Sequence, residues 1–294
     1  MVNHDDGALD LPPVDVLVAT YESAATLRET LAAVRTHLPV HHLIVVDRFS
    51  RDGSPEIARE AGARVYNERT GLGRARNLAL EAADTDPVLF VDSDVVISRP
   101  DFYARALEEY RRPRTVAVVG MSRGHRFRYG LPLGLTLVGR RWALEARIPD
   151  DAQGRETYYL QRAARLQRLR TRYVLEAMRH HGTYRSAAHW PEFQGAAIRR
   201  ASGWNPRELA YAGLVVGLMH LNSRRVRNVA YSPIFYLKLL RGFLDPGRWS
   251  RLDRSAPPSL PGEGAAALRR RRPCASEQGH QEVVSQEAER PMRR

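Results

Sequence analysis

The chain has 294 residues, 43% hydrophobic and 27% charged, enough to bury a sizeable core in one large domain with appendages. A single cysteine, Cys274, excludes an intrachain disulfide and gives no support to redox chemistry or a cysteine metal site. The formal net charge of +13 is carried almost wholly by arginine, since Lys238 is the only lysine. It suits either an arginine-rich composition without further meaning or an anionic partner: a diphosphate, a lipid phosphate or headgroups, or nucleic acid.

The first residues, Met1 to Leu11, carry three aspartates and no apolar run, so they do not read as a secretory signal. Val14 to Ala19 is a short β-branched run, and Leu27, Leu31 and Val34 then recur at helical spacing. The same strand-then-helix pattern returns with His42 to Val46 and Ser54 to Ala61, with Ala63 to Tyr66 and Ala75 to Ala83, and ends in a fourth strand, Val88 to Val91. Strands alternating with helices predict an α/β fold with a mostly parallel sheet covered on both faces. Ligands of such sheets bind at the carboxyl ends of strands, where Thr20-Tyr21-Glu22, Asp47 and Asp92-Ser93-Asp94 fall.

Beyond Pro100 the pattern weakens. Thr115 to Gly120 reads as a strand, Gly130 to Val138 has no clear period, and Glu156 to Met178 spaces its apolar residues like one long amphipathic helix. Leu209 to Leu221, the longest apolar stretch, is short of the roughly 20 residues that span a bilayer. Pro233 to Leu244 mixes aromatic, aliphatic and basic residues and suits either an interfacial helix or a buried one ending at Gly242. Past Ser255 the composition turns to proline, glycine, alanine and charge, with the run Arg269 to Arg272. The expected layout is a domain over 12–230, with a nucleotide half (12–125) and an acceptor half (126–230), an interfacial helix at 231–250 and a disordered basic tail at 251–294. The expected location is the cytoplasm, peripheral on the inner face of the membrane if the interfacial helix is real.

Asp92 and Asp94 stand at the edge of an apolar segment, VLFV before and VVIS after. Carboxylates there are costly unless they hold a cation or several hydrogen bonds, and a hard cation completed by phosphate oxygens suits them. Gly71-Leu72-Gly73-Arg74 is a glycine-rich turn opening a helix, whose amides could approach phosphate while Arg74 adds charge. It lacks the third glycine of a dinucleotide fingerprint and does not follow the first strand, so a nicotinamide enzyme is disfavoured. His180, His181 and His189 read as surface residues, because adjacent histidines at the end of the expected helix point apart.

Four motifs, VLVATYESAATLRETL, LIVVDRFSRDGS, ARVYNERTGLGRARNLALEAA and VLFVDSDV, resemble in order and spacing the family 2 inverting glycosyltransferases. The resemblance covers residues 14 to about 105 and implies a GT-A (nucleotide-diphospho-sugar transferase) fold with a helical C-terminal appendage. It implies a nucleotide-sugar pocket of Thr20, Tyr21, Glu22, Asp47, Arg74 and Asp92, and a divalent manganese or magnesium held by Asp92 and Asp94.

Two departures stand out: Ala19 replaces the usual proline before Thr20, and Arg48 replaces the acidic residue that commonly follows Asp47. A third is larger. Gln194 to Arg200 followed by Gly203-Trp204-Asn205 resembles the family's approach to its Glu-Asp catalytic pair, which would then fall at Gly213-Leu214, where there is no acid. Glu192 and Glu208 are the nearest substitutes for a general base. A hydroxyl acceptor needs such a base and an ionised phosphate does not, so the expected acceptor is a polyprenyl phosphate, as in the dolichyl-phosphate sugar synthases that GLGRA also resembles, or a surface glycan. The alternatives are a nucleotidyltransferase, disfavoured because its glycine-rich loop would follow the first strand, and a degenerate GT-A domain that binds nucleotide sugars or anions. Nucleic acid is not an expected partner, since no recognition module accompanies the charge.

Overall fold

The computed structural model describes residues 11–152, 156–181, 189–222 and 226–251. Its first half is the predicted alternation: strands β1 (Val14–Thr20), β2 (Val40–Asp47), β3 (Arg64–Asn67) and β4 (Val88–Val91), linked by helices α1 (Ala24–His37), α2 (Ser54–Glu60) and α3 (Leu72–Ala82). All four strands run parallel, in the order β3-β2-β1-β4. Helices on both faces explain the unbroken apolar runs. Leu17, Ile44 and Phe90 are fully buried, each contributing about 2 kcal/mol from surface withdrawn from water.

Past β4 the sheet becomes mixed. The short β5 (Val95–Ile97) and α4 (Phe102–Tyr110) lead to β6 (Thr115–Ser122), and β7 (Leu135–Val138) inserts antiparallel between β4 and β6. After α5 (Arg140–Ala146) comes the main departure from expectation. The stretch 156–178 is not one long helix. Helix α6 (Thr157–Leu166) stops, the chain reverses with Arg168 in the left-handed region at φ 54°, and β8 (Arg170–His180) runs parallel to β6. The cause is backbone pairing: β6 would otherwise keep an unpaired edge, and a ladder from Thr115 beside Arg170 to Ser122 beside Met178 satisfies it. At its far end β8 pairs with β5, completing the order β3-β2-β1-β4-β7-β6-β8-β5.

A second, smaller core lies among α6, α7 (Trp190–Ser202), α8 (Pro206–Asn222) and α9 (Val226–Leu244), where Tyr158, Ile198, Val216, Phe235 and Leu239 pack together. Glycines set its density. A Cβ on Gly195 would lie 1.9 Å from Leu239 O, and one on Gly242 the same distance from Glu192 O, so α7 and α9 touch backbone to backbone. The opposite side of α9 is exposed and apolar, with Ile234 50% and Leu237 64% accessible, so the helix is half buried and half open rather than one or the other. The short α10 (Pro246–Arg251) follows it. No helix among the described residues is long and apolar enough to cross a membrane. The tail from 252 onward, with Arg269 to Arg272, lies outside the described residues.

Candidate active site

A cavity of about 610 Å³ opens at the carboxyl ends of β1, β2 and β4, within the range of small-molecule sites. Its lining includes Thr20, Tyr21, Ser23 and Arg48, Asp92-Ser93-Asp94, the loop from Tyr129 to Gly134, and Trp190, Gln194, Val215, Val216 and Met219. Thr20 Oγ1 is buried with no hydrogen-bond partner among the described residues, a donor free for a ligand. Tyr21 is 57% exposed with the Arg48 guanidinium 5.5 Å from its ring centre, a flat surface on which a base could stack.

Asp92 and Asp94 both face the cavity. Asp92 takes its position from β4: its N–H donates to Gly134 O at 2.8 Å, and a Cβ on Gly134 would come within 3.3 Å of Asp92 Oδ2. Arg76, buried on α3, donates from Nη2 to Asp92 Oδ1 at 2.6 Å and holds its Nε 3.7 Å from Glu156 Oε1. Glu156 is 5% exposed and also lines the cavity. Burial raises its carboxyl pKa, Arg76 pulls the other way, and the nearby Asp92 adds to the rise. On the other side His180 Nδ1 lies 3.7 Å from Asp94 Oδ1. This contact holds the Asp94 carboxyl below its ordinary pKa, against the opposing effect of burial.

The sequence-predicted residues divide. Thr20, Tyr21, Asp92 and Asp94 line the cavity. Asp47 is fully buried behind its neighbours Val46 and Arg48, its two oxygens accepting from Ser50 N at 2.8 Å and Ser50 Oγ at 2.6 Å, and burial raises its pKa. Glu22 turns to accept from Arg51 N at 2.9 Å and is not a wall of the cavity. Arg74 is spent on Glu81 at 2.8 Å, outside the cavity, and Arg76 takes the inward position two residues on. The glycine-rich turn lines the cavity through Gly71 and Leu72, while Gly73 and Arg74 pack against a distant stretch of chain. Gly73 N and Arg74 N donate to Ala152 O and Asp150 O, and a Cβ on Gly73 would meet Pro149 O at 2.1 Å.

Neither substitute base lines the cavity. Glu208 accepts from Tyr158 Oη at 2.6 Å and from Arg165 Nη2, tying α8 to α6. Glu192 is buried at the start of α7, with Oε1 3.7 Å from His189 Nδ1. Arg76 and Glu156, with Glu68, His125 and Gln161, line the cavity without having been singled out from the sequence, and His180, set aside there as a surface residue, lines it as well. His180 escaped because its segment reads as a helix end, whereas on β8 it reaches Asp94.

The family model for glycosyl transferase family 2 matches residues 15–168, just over half of the chain. The chain belongs to that family. Glu156 lies inside the match, whereas the segment from Gln194 to Leu214, read above as the approach to the catalytic pair, lies beyond it. A Bacillus subtilis protein described as a glycosyltransferase, EpsH, is 33% identical over 106 residues, 34% of this chain and 30% of that one. The chain therefore spans less than a third of the length of that curated relative. Among solved structures, the mannosyltransferase PcManGT of Pyrobaculum calidifontis, in complex with GDP-Man and Mn2+, aligns with a TM-score of 0.56 at 20% identity, covering 82% of this chain and 90% of its own. Glucosyl-3-phosphoglycerate synthase of Mycobacterium tuberculosis, with Mn2+ and UDP-Glc, aligns at 0.52 and 21% identity, covering 65% and 79%. The fold is the GT-A fold expected from the sequence, an α/β sheet flanked by helices with a helical appendage.

Proposed function

We propose that this protein transfers a sugar from a nucleotide-diphosphate sugar to an acceptor hydroxyl, with inversion, and that Glu156 is its general base. The observation that carries this reading is the grouping of Asp92, Asp94, Arg76 and Glu156 around one cavity. Two carboxylates with an imidazole beside them form a donor set that suits manganese or magnesium. Bound by Asp92 and Asp94 next to His180, the ion would neutralise charge on the departing diphosphate. Thr20 and Tyr21 hold the nucleotide end of the donor. Arg76 keeps Asp92 in place, its Nε faces Glu156, and its Nη1 has no hydrogen-bond partner among the described residues, which leaves a donor for an anionic ligand.

The acceptor oxygen attacks the anomeric carbon as the bond to the diphosphate breaks, and its proton passes to Glu156. A carboxyl raised by burial is a stronger base than an exposed one, which fits this task. Purified protein with manganese and a panel of nucleotide sugars should release nucleoside diphosphate in the presence of sugar-hydroxyl acceptors. Asp94→Asn should lower release at least about a hundredfold, and Glu156→Gln should do the same while nucleotide binding persists. Release that survives Glu156→Gln in full would remove it as the base.

A second reading, transfer to a polyprenyl phosphate at a membrane surface, draws on the exposed Ile234 and Leu237 of α9, with Lys238 and Arg241 following them at helical spacing. An already ionised acceptor needs no base. Lipid-dependent release that is indifferent to Glu156→Gln would favour it.

A further inference from the structure

At the opposite ends of the strands from the cavity, a second cluster of ligating side chains converges on Asp15. Between the pairs Val14 with Val40 and Val16 with Leu43, the ladder of β1 and β2 slips, so that His41 and His42 together face the single residue Asp15. Successive strand residues ordinarily point to opposite faces, and a bulge re-aims them. Here both imidazoles turn the same way, with ring centres 3.8 Å apart. His41 Nδ1 lies 2.9 Å and His42 Nδ1 3.2 Å from the same oxygen, Asp15 Oδ1, and His42 Nδ1 is also 3.3 Å from Asp84 Oδ2. The four ligand atoms all lie within 4.8 Å of one another.

Asp15 is fully buried and already oriented. Its Oδ2 accepts from the amides of Asp84 and Thr85, and its Oδ1 from His42 N at 3.0 Å. A carboxylate oxygen has about two lone pairs, so one remains on Oδ1 for two imidazole nitrogens. His42 Nδ1 is buried and has no hydrogen-bond partner among the described residues. A divalent cation resolves this arrangement. It takes the remaining lone pair of Asp15 and one from each nitrogen, and Asp84, on the exposed loop after α3, closes the fourth position. Tetrahedral zinc separates its nitrogen and oxygen ligands by about 3.3 Å, close to the three distances quoted above. Two carboxylates match the charge of the ion, and the amide bonds to Asp15 supply the outer support that ligands of this kind require. Arg64 Nη1, 3.8 Å from Asp84 Oδ2, is the competing cation.

We infer that Asp15, His41, His42 and Asp84 form a structural zinc-class metal site, separate from the cavity that Asp92 and Asp94 line. Asp15 lies five residues before Thr20 along β1, about 16 Å away at ordinary strand rise. The two sites therefore do not share an ion.

The test uses the full chain carrying Asp94→Asn, stripped of metal and titrated calorimetrically with zinc alone, and in parallel with cobalt while visible absorption is followed. One zinc should bind, cobalt should give the intense visible bands of a tetrahedral site, and a hundredfold zinc excess over Kd should raise Tm by about 5 °C. His42→Gln, and separately the exposed Asp84→Asn, should each weaken zinc at least about tenfold and erase the cobalt bands. Zinc titrations of both variants that superimpose on their parent, or a parent that takes up no zinc, would overturn the site and leave a bulge clasped by hydrogen bonds alone.

Discussion

Arg76 stands between two acids: its Nη2 lies 2.6 Å from Asp92 Oδ1, and its Nε 3.7 Å from Glu156 Oε1. One buried guanidinium thus couples the residue proposed to hold metal with the residue proposed to take the proton. Arg76→Lys keeps the charge but loses the planar fork that reaches both partners. The expected result is a rise of about tenfold in the Kd for metal-bound nucleoside diphosphate, with a stability loss of about 1–2 kcal/mol. Calorimetric titration and thermal melts measure the two. Unchanged nucleotide affinity in a folded variant would confine Arg76 to packing.

Glu208 binds α8 to α6 through Tyr158 and Arg165. Burial pushes its carboxyl upward, but the Tyr158 hydroxyl and Arg165 outweigh it, and the net pKa lies below the ordinary 4.5. A depressed folded-state value contributes stability that is present above the unfolded pKa and lost as pH falls through the folded one. Glu208→Gln should therefore cost about 2 kcal/mol at pH near 7, with the gap to wild type narrowing below pH of about 4.5. Urea melts across that range test the sign. A gap that widened in acid would contradict the assignment.

The close approach of α7 and α9 leaves no room at Gly242, where a Cβ would sit 1.9 Å from Glu192 O. Gly242→Ala must spread two helices that are in backbone contact, for an expected loss of about 2–3 kcal/mol. In an ordinary exposed helix the same change would stabilise by about 1 kcal/mol. The direction of the Tm shift alone decides between the two environments.

Ile234 and Leu237 project from the open side of α9. If that side lies on a bilayer, Ile234→Asp with Leu237→Asp should reduce flotation with anionic vesicles by at least about tenfold, while zwitterionic vesicles bind little of either protein. Equal flotation of the variant and the wild type would assign the patch to something other than lipid.

The first half of the sheet was legible because its strands are short and apolar and alternate with helices of regular period, and Asp92 and Asp94 announced themselves as acids at a buried edge. The failures have particular causes. Leu160, Leu169 and Tyr173 fit a helical stripe, and the reversal between α6 and β8 uses Arg168 at positive φ, with no glycine or proline to mark it. Arg74 and Arg76 differ by two positions, more than half a helical turn, and only packing against Asp92 reveals which faces inward. Glu156 is the first residue of the expected helix, and nothing near it in sequence shows that it meets Arg76, 80 residues earlier in the chain.

The start of α3 is fastened to a distant stretch of chain, with Gly73 and Arg74 amides on Ala152 and Asp150 carbonyls and Asn77 Nδ2 on Ile148 O at 2.6 Å. That stretch lies just ahead of Glu156. A chimera that exchanged the first 125 residues for those of a relative would draw the two sides of this fastening from different parents, and would also part β6 from its ladder partners β7 and β8. Recombining preferences in this scaffold calls for grafts that carry α3 together with the chain from Ile148 through Glu156, so that Arg76 and the acid it faces travel as one inherited unit.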